Sequence, residues 1–135
     1  MVEMNVARQE RDIACAVELS LQALTDGPRR QPHEVPPAVR AHTRAMTAKL
    51  FARPFVAEAI PQWPEPPTAE RLATITAPTL TIIGAEDQPP LHEITDVVVK
   101  RLPNGRKVVI PDAGHHPNME QPTLFQAAVE QFLAT

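Results

Sequence analysis

From residue 79 onward the chain alternates two short β-branched runs with two amphipathic stretches, and that order leaves few folds open. The run "TLTII" (79–83), bounded by Pro78 and Gly84, reads as a buried parallel strand. In "LHEITDVVVKRL" the positions Leu91, Ile94, Val98 and Leu102 recur at helical spacing, and "PNG" makes a turn into a second strand, "RKVVI". In "PTLFQAAVEQFL" Phe125, Ala128, Val129 and Phe132 repeat as i, i+3, i+4 and i+7, with Pro122 at a helix start. Strand, helix, strand, helix implies a right-handed parallel crossover. Parallel sheets are covered on both faces and have more than two strands, so the pattern predicts the end of a larger α/β domain.

The first half has a different rhythm. Between Asn5 and Thr25 the positions Ile13, Val17, Leu21 and Leu24 form one apolar stripe and predict a single helix, ended by "TDGPRR", where Gly27 suits a left-handed cap. A second helix is predicted from Pro37 to Ala52, with Val39, Met46 and Leu50 on one side. Five prolines within "PFVAEAIPQWPEPPTAE" (54–70) predict a connector, in which "FVAEAI" reads as a helical turn and Trp63 as a packing anchor. Thr68 is the expected cap of a short turn, "TAERLATI". Met46 and Phe51 are expected in the core of the helical pair, Arg29 and Arg30 in a solvated turn, and Cys15 as a buried, inert thiol.

Composition removes several functions. A net charge of −3, with 13 Lys and Arg scattered among 135 residues, provides no basic field for nucleic acid. No apolar window of about 18 residues exists for a membrane span, and the charged start "MVEMNVARQERD" is unlike a signal peptide. The expected compartment is therefore the cytoplasm. The five histidines, His33, His42, His92, His115 and His116, have no spacing that suits a metal, and no cofactor is expected.

In open parallel sheets functional groups gather in the loops after the carboxyl ends of strands. Here the first such loop offers Glu86 and Asp87, the second His115 and His116. If the strands are neighbours, an acid from one loop meets an imidazole from the other, and a carboxylate on one ring nitrogen fixes the tautomer and stabilises the protonated ring. The bland alternative is a turn aspartate and an exposed, idle histidine. Position alone does not choose among the four residues.

Two motifs add to this. "ITAPTLTIIGAED" (75–87) and "IPDAGHHPNMEQP" (110–122) resemble, in order, the acid-bearing and histidine-bearing segments of α/β-hydrolase fold enzymes. The resemblance covers residues 71–135, about half of the chain. It implies that Asp87 is the triad acid and His115 the triad base, 28 positions apart, with Glu120 holding the loop and Pro122 starting the last helix. Residues 1–65 would be a helical cap with its connector, and 66–135 the C-terminal part of the core.

The same resemblance exposes an absence. Such enzymes need a nucleophile on a G-x-S-x-G elbow, whereas this chain has one serine, Ser20, on a predicted helix without nearby glycine, and only four glycines in all. Losing the nucleophile of a triad costs on the order of 10⁶ in turnover. The expectation is thus an incomplete α/β domain, from a truncated or mis-started gene product, that is inactive alone and acts on a small ester-like or related substrate only when complemented by the missing half. The alternative expectation is a non-catalytic interaction or oligomerisation module that uses the surface such a half would cover.

Overall fold

The computed structural model describes residues 2–53 and 64–135. The expectations for "FVAEAI" and Trp63 fall outside the described residues. The helical part comprises α1 (Val2–Gln9), α2 (Ile13–Ser20), which runs on as a π-helical turn over Leu21–Asp26, and α3 (Pro37–Phe51). After it come the short α4 (Thr68–Arg71), β1 (Thr79–Gly84), α5 (Pro89–Arg101), β2 (Gly105–Ile110), α6 (Pro117–Glu120) and α7 (Pro122–Leu133).

The two strands pair in parallel, from Thr79 against Gly105 to Gly84 against Ile110, with α5 as the crossover. Every element predicted from residue 79 onward is present, and Pro122 does begin the last helix. Ile83, Leu102, Ile110 and Ala113 are buried, but Ile94 (57% exposed), Val97, Val109, Leu124 and Leu133 are not. A strand pair this small cannot cover both of its faces and those of its helices.

The single helix expected over 5–25 is in fact two. Arg11 turns the chain with φ at 62°, and Asp12 caps α2 by accepting a hydrogen bond from Cys15 N at 3.0 Å. The N-cap interaction of an aspartate outcompetes continuation of the stripe. With Ala16, Val17, Ser20 and Leu21 turned inward against α3, Cys15 is exposed, contrary to its expected burial. Met46 is also exposed, while Phe51 is half-buried with the Arg8 guanidinium 4.4 Å from its ring centroid. Thr68 occupies the first turn of α4, and Pro67, which has no side-chain hydrogen bond to offer, takes the capping position.

Gly27, at φ 78°, joins the helical part to the sheet, for a Cβ there would lie 2.5 Å from the carbonyl oxygen of Glu86. The turn therefore lies directly against the loop that follows β1.

Candidate active site

The loops after β1 and β2 are bound to each other through backbone. Ala85 N donates to Ile110 O and Glu86 N to Ala113 O, each at 2.8 Å. Gly84 makes this possible, because a Cβ there would stand 2.1 Å from Gly114 O and 2.2 Å from Ala113 O. Only glycine lets the two main chains come so near.

Held this way, Asp87 and His115 meet. The Nδ1–H of His115 donates to the Asp87 carboxylate, 3.0 Å from Oδ2 and 3.2 Å from Oδ1. Asp87 is 4% exposed, and its Oδ1 also accepts Gln88 N at 2.8 Å. A carboxylate on Nδ1 places the ring proton there and leaves Nε2 as the basic nitrogen, which makes no hydrogen bond among the described residues. The His115 side chain remains 37% exposed.

The two residues left open by the sequence go elsewhere. Glu86 accepts Arg29 Nε at 2.9 Å, and Arg29 Nη2 bonds Ala85 O. His116 lies edge-on to His115 with ring centroids 5.4 Å apart, and its Nε2 is 3.3 Å from Thr25 Oγ1. Burial, and secondarily the neighbouring His115, lowers the pKa of His116 below the ordinary imidazole value. It is thereby biased toward the neutral ring.

A cluster of which the motifs announce only Glu120 surrounds the turn at 25–30. Arg30 is not solvated as expected, its side chain being 10% exposed and paired with the fully buried Glu120 at 2.5 Å. Arg40 donates to both carboxylate oxygens of Asp26, at 2.9 and 3.1 Å, and to Glu18 at 2.5 Å. Those partners push the Arg40 pKa above its usual value. Ion pairs between residues so far apart in the chain leave no periodic trace, so only the charge of "TDGPRR" beside a turn hinted at them.

An apolar cavity of about 320 Å³ adjoins His116, lined by Thr43, Met46, Thr47 and Leu50 of α3 and by Met119 of α6. A larger one, about 750 Å³, lies near Arg8, Ile13 and Phe51 and includes none of the loop residues. Among the described residues no three His, Cys, Asp or Glu converge to hold a metal, and no helix is long and apolar enough to cross a membrane.

No family model matches the chain. It is 37% identical over 71 residues to a candidate 2-succinyl-6-hydroxy-2,4-cyclohexadiene-1-carboxylate synthase of Bacillus subtilis (strain 168), covering 53% of this chain and 26% of that protein. It is 30% identical over 100 residues to a pimeloyl-[acyl-carrier protein] methyl ester esterase of Edwardsiella ictaluri (strain 93-146), covering 70% of this chain and 39% of that one. Two solved structures superpose on nearly all of it: MenH from S. aureus, with TM-score 0.66, 20% identity and 98% of this chain covered, and Est816, an N-acyl homoserine lactone degrading enzyme, with 0.61, 24% and 96%. The chain belongs to the α/β-hydrolase fold.

It spans about half the length of those two structures, and the α/β-hydrolase domain seen here is incomplete. That accounts for the two-stranded sheet and for the apolar surface left open on α5 and α7. In α/β-hydrolase terms the Asp87–His115 pair stands at the carboxyl ends of adjacent strands, where this class of sheet gathers its functional groups.

Proposed function

We propose that this chain supplies the acid and the base of a hydrolase triad, with residues 1–65 forming the cap and 66–135 the C-terminal part of the core. The observation that carries the reading is the 3.0 Å bond from His115 Nδ1 to the buried Asp87 across two strand-end loops. In such a triad His115 Nε2 removes the proton of a nucleophilic hydroxyl and returns it to the leaving group; where the nucleophile is an aspartate, the leaving group has already departed and His115 instead deprotonates the water that cleaves the aspartyl ester, the proton then passing to solvent. Asp87 stays ionised throughout and stabilises the imidazolium.

The nucleophile comes from outside these residues. Ser20, the one serine in the sequence, is buried on α2 with no strained turn around it. The substrate is a small ester or a related compound, and the cavity beside His116 favours an apolar acyl or alkyl group on it. Catalysis requires the rest of the hydrolase domain, in trans if not in the same polypeptide.

The test is hydrolysis of a short-chain p-nitrophenyl ester by the purified chain. Turnover no greater than that of free imidazole is expected, since acid and base without nucleophile and oxyanion donors contribute little. Turnover abolished by His115→Ala and unaffected by Ser20→Ala would overturn the requirement for a second half. A second reading, a non-catalytic association module, is favoured by the exposed Ile94, Val97, Val109, Leu124 and Leu133. Sedimentation as a monodisperse monomer would count against it.

A further inference from the structure

The segment that carries His115 is gripped from two sides. Beneath it is β2. Beside it, Glu120 Oε1 accepts the Gly114 N–H at 2.9 Å, and Gly114 directly precedes His115. The other oxygen of Glu120 accepts Arg30 Nη1 at 2.5 Å. Arg30 directs its remaining nitrogens to main-chain carbonyls of its own turn, Nη2 to Thr25 O at 2.7 Å and Nε to Asp26 O at 2.9 Å. A continuous path of hydrogen bonds thus runs from the 25–30 turn through Arg30 and Glu120 to the backbone of the histidine loop.

We propose that Arg30 is a positioning residue for His115, an inference that rests on His115 being the triad base. The Glu120 carboxyl has no exposed surface, so its two oxygens depend on protein donors, Gly114 N for Oε1 and Arg30 Nη1 for Oε2. The planar guanidinium then fixes the rotation of that carboxylate, because two of its edges are already anchored on carbonyls. With Oε1 fixed, the Gly114 peptide is fixed, and the imidazole one residue later is held in register with Asp87. Thr25 reinforces the registration, since the residue whose carbonyl binds Arg30 also places its hydroxyl 3.3 Å from His116 Nε2. The helical part thereby sets the geometry of the base without touching it.

The experiment follows two NMR signals in the full chain: amide hydrogen exchange at Gly114, and the downfield proton shared by His115 Nδ1 and Asp87. In Arg30→Met, Gly114 exchange should accelerate at least about tenfold more than that of the β1–β2 amides, which report only the global loss of stability, and the shared-proton signal should broaden or vanish. Arg30→Lys keeps the charge but not the fork, so it should give an intermediate rate. A folded Arg30→Met with Gly114 exchange and the His115 signal unchanged overturns the proposal. Should that variant fail to fold, wild-type exchange at Gly114 in Arg30→Lys overturns it equally. These signals do not depend on turnover, so failure of the hydrolase reading would be seen separately, as indifference of a complemented activity to His115→Ala.

Discussion

The two halves of the chain are held together by different means. In the α/β part the two strand-end loops are fastened by main chain, through Ala85 and Glu86 amides on Ile110 and Ala113 carbonyls, with Gly84 permitting the approach. In the helical part the joints are side-chain ion pairs: Arg30 with Glu120, and Arg40 with Asp26 and Glu18. Backbone joints follow from strand order and from one glycine, and tolerate most side-chain changes. Ion-pair joints depend on single residues, and both kinds meet at the histidine loop, through Gly114 and Glu120, and again at the loop after β1, through Glu86 and Arg29.

The contrast is broken most severely at Arg30. Arg30→Met leaves the fully buried Glu120 without its cation, which in comparable buried pairs costs about 3–5 kcal/mol. Urea or guanidinium unfolding should show that loss; a loss below about 1 kcal/mol, the range of exposed pairs, would mean that the buried joint is not an energetic one. Gly84→Ala tests the backbone joint, where the new Cβ would meet Gly114 O at 2.1 Å and Ala113 O at 2.2 Å. Overpacking of this kind costs about 1–3 kcal/mol, and here the neighbours are main chain that cannot rotate away. Unfolding midpoints of the two variants rank the two kinds of joint directly, with Arg30→Met expected to fall further.

How much of this could be read from the residues divides along the same line. Elements from Thr79 onward are legible because each is a short periodic run between Pro or Gly signals, while strand order places Glu86, Asp87, His115 and His116 alike at strand ends and only the resemblance chooses Asp87 and His115 among them. The helical part was less legible. The helix expected from Asn5 to Thr25 runs through the charged Glu10, Arg11 and Asp12, ahead of the stripe that begins at Ile13, yet Asp12 is a better cap than a helix-interior residue, and so the helix breaks. Burial of Arg30, Asp26 and Glu120 had no local signature, because each is explained only by a partner from another part of the chain. Glu120 was singled out by resemblance, and its partner was not.

A smaller effect concerns pH. His116 packs against Thr25 of the π-helical turn and His115 of its own loop, with Glu120 and Asp87 as the nearby carboxylates. Its folded pKa is lowered from 6.5, chiefly by burial. Between that lowered value and 6.5 the unfolded chain binds more protons than the folded one, so stability increases with pH across this window. The contribution is fully present above pH 6.5 and is lost as the solution is acidified toward the lowered value. Unfolding free energies measured from pH 7.5 to 5 should decline less in His116→Gln than in the natural chain. Parallel declines would remove burial as the governing influence on this ring.

The smallest effect belongs to Glu18, at the outer end of the ion-pair chain. Hydrogen bonds from Arg40 and then Arg44 lower its pKa from 4.5, but its side chain is 35% exposed and that of Arg44 is 45% exposed. Water and salt screen such contacts, and exposed pairs contribute about 0–1 kcal/mol. The sign is the same as that of His116, in a more acidic window: the stabilisation is present above pH 4.5 and is lost as pH falls through the lowered folded value. Glu18→Gln should therefore change stability little at neutral pH and still less in molar salt, measured by denaturant unfolding. Arg40 would keep its bidentate hold on Asp26, which is 2% exposed. A loss from Glu18→Gln as large as that from Arg30→Met would show that the ion pairs act as one cooperative network reaching the protein surface, and burial would no longer separate the joints that matter from those that do not.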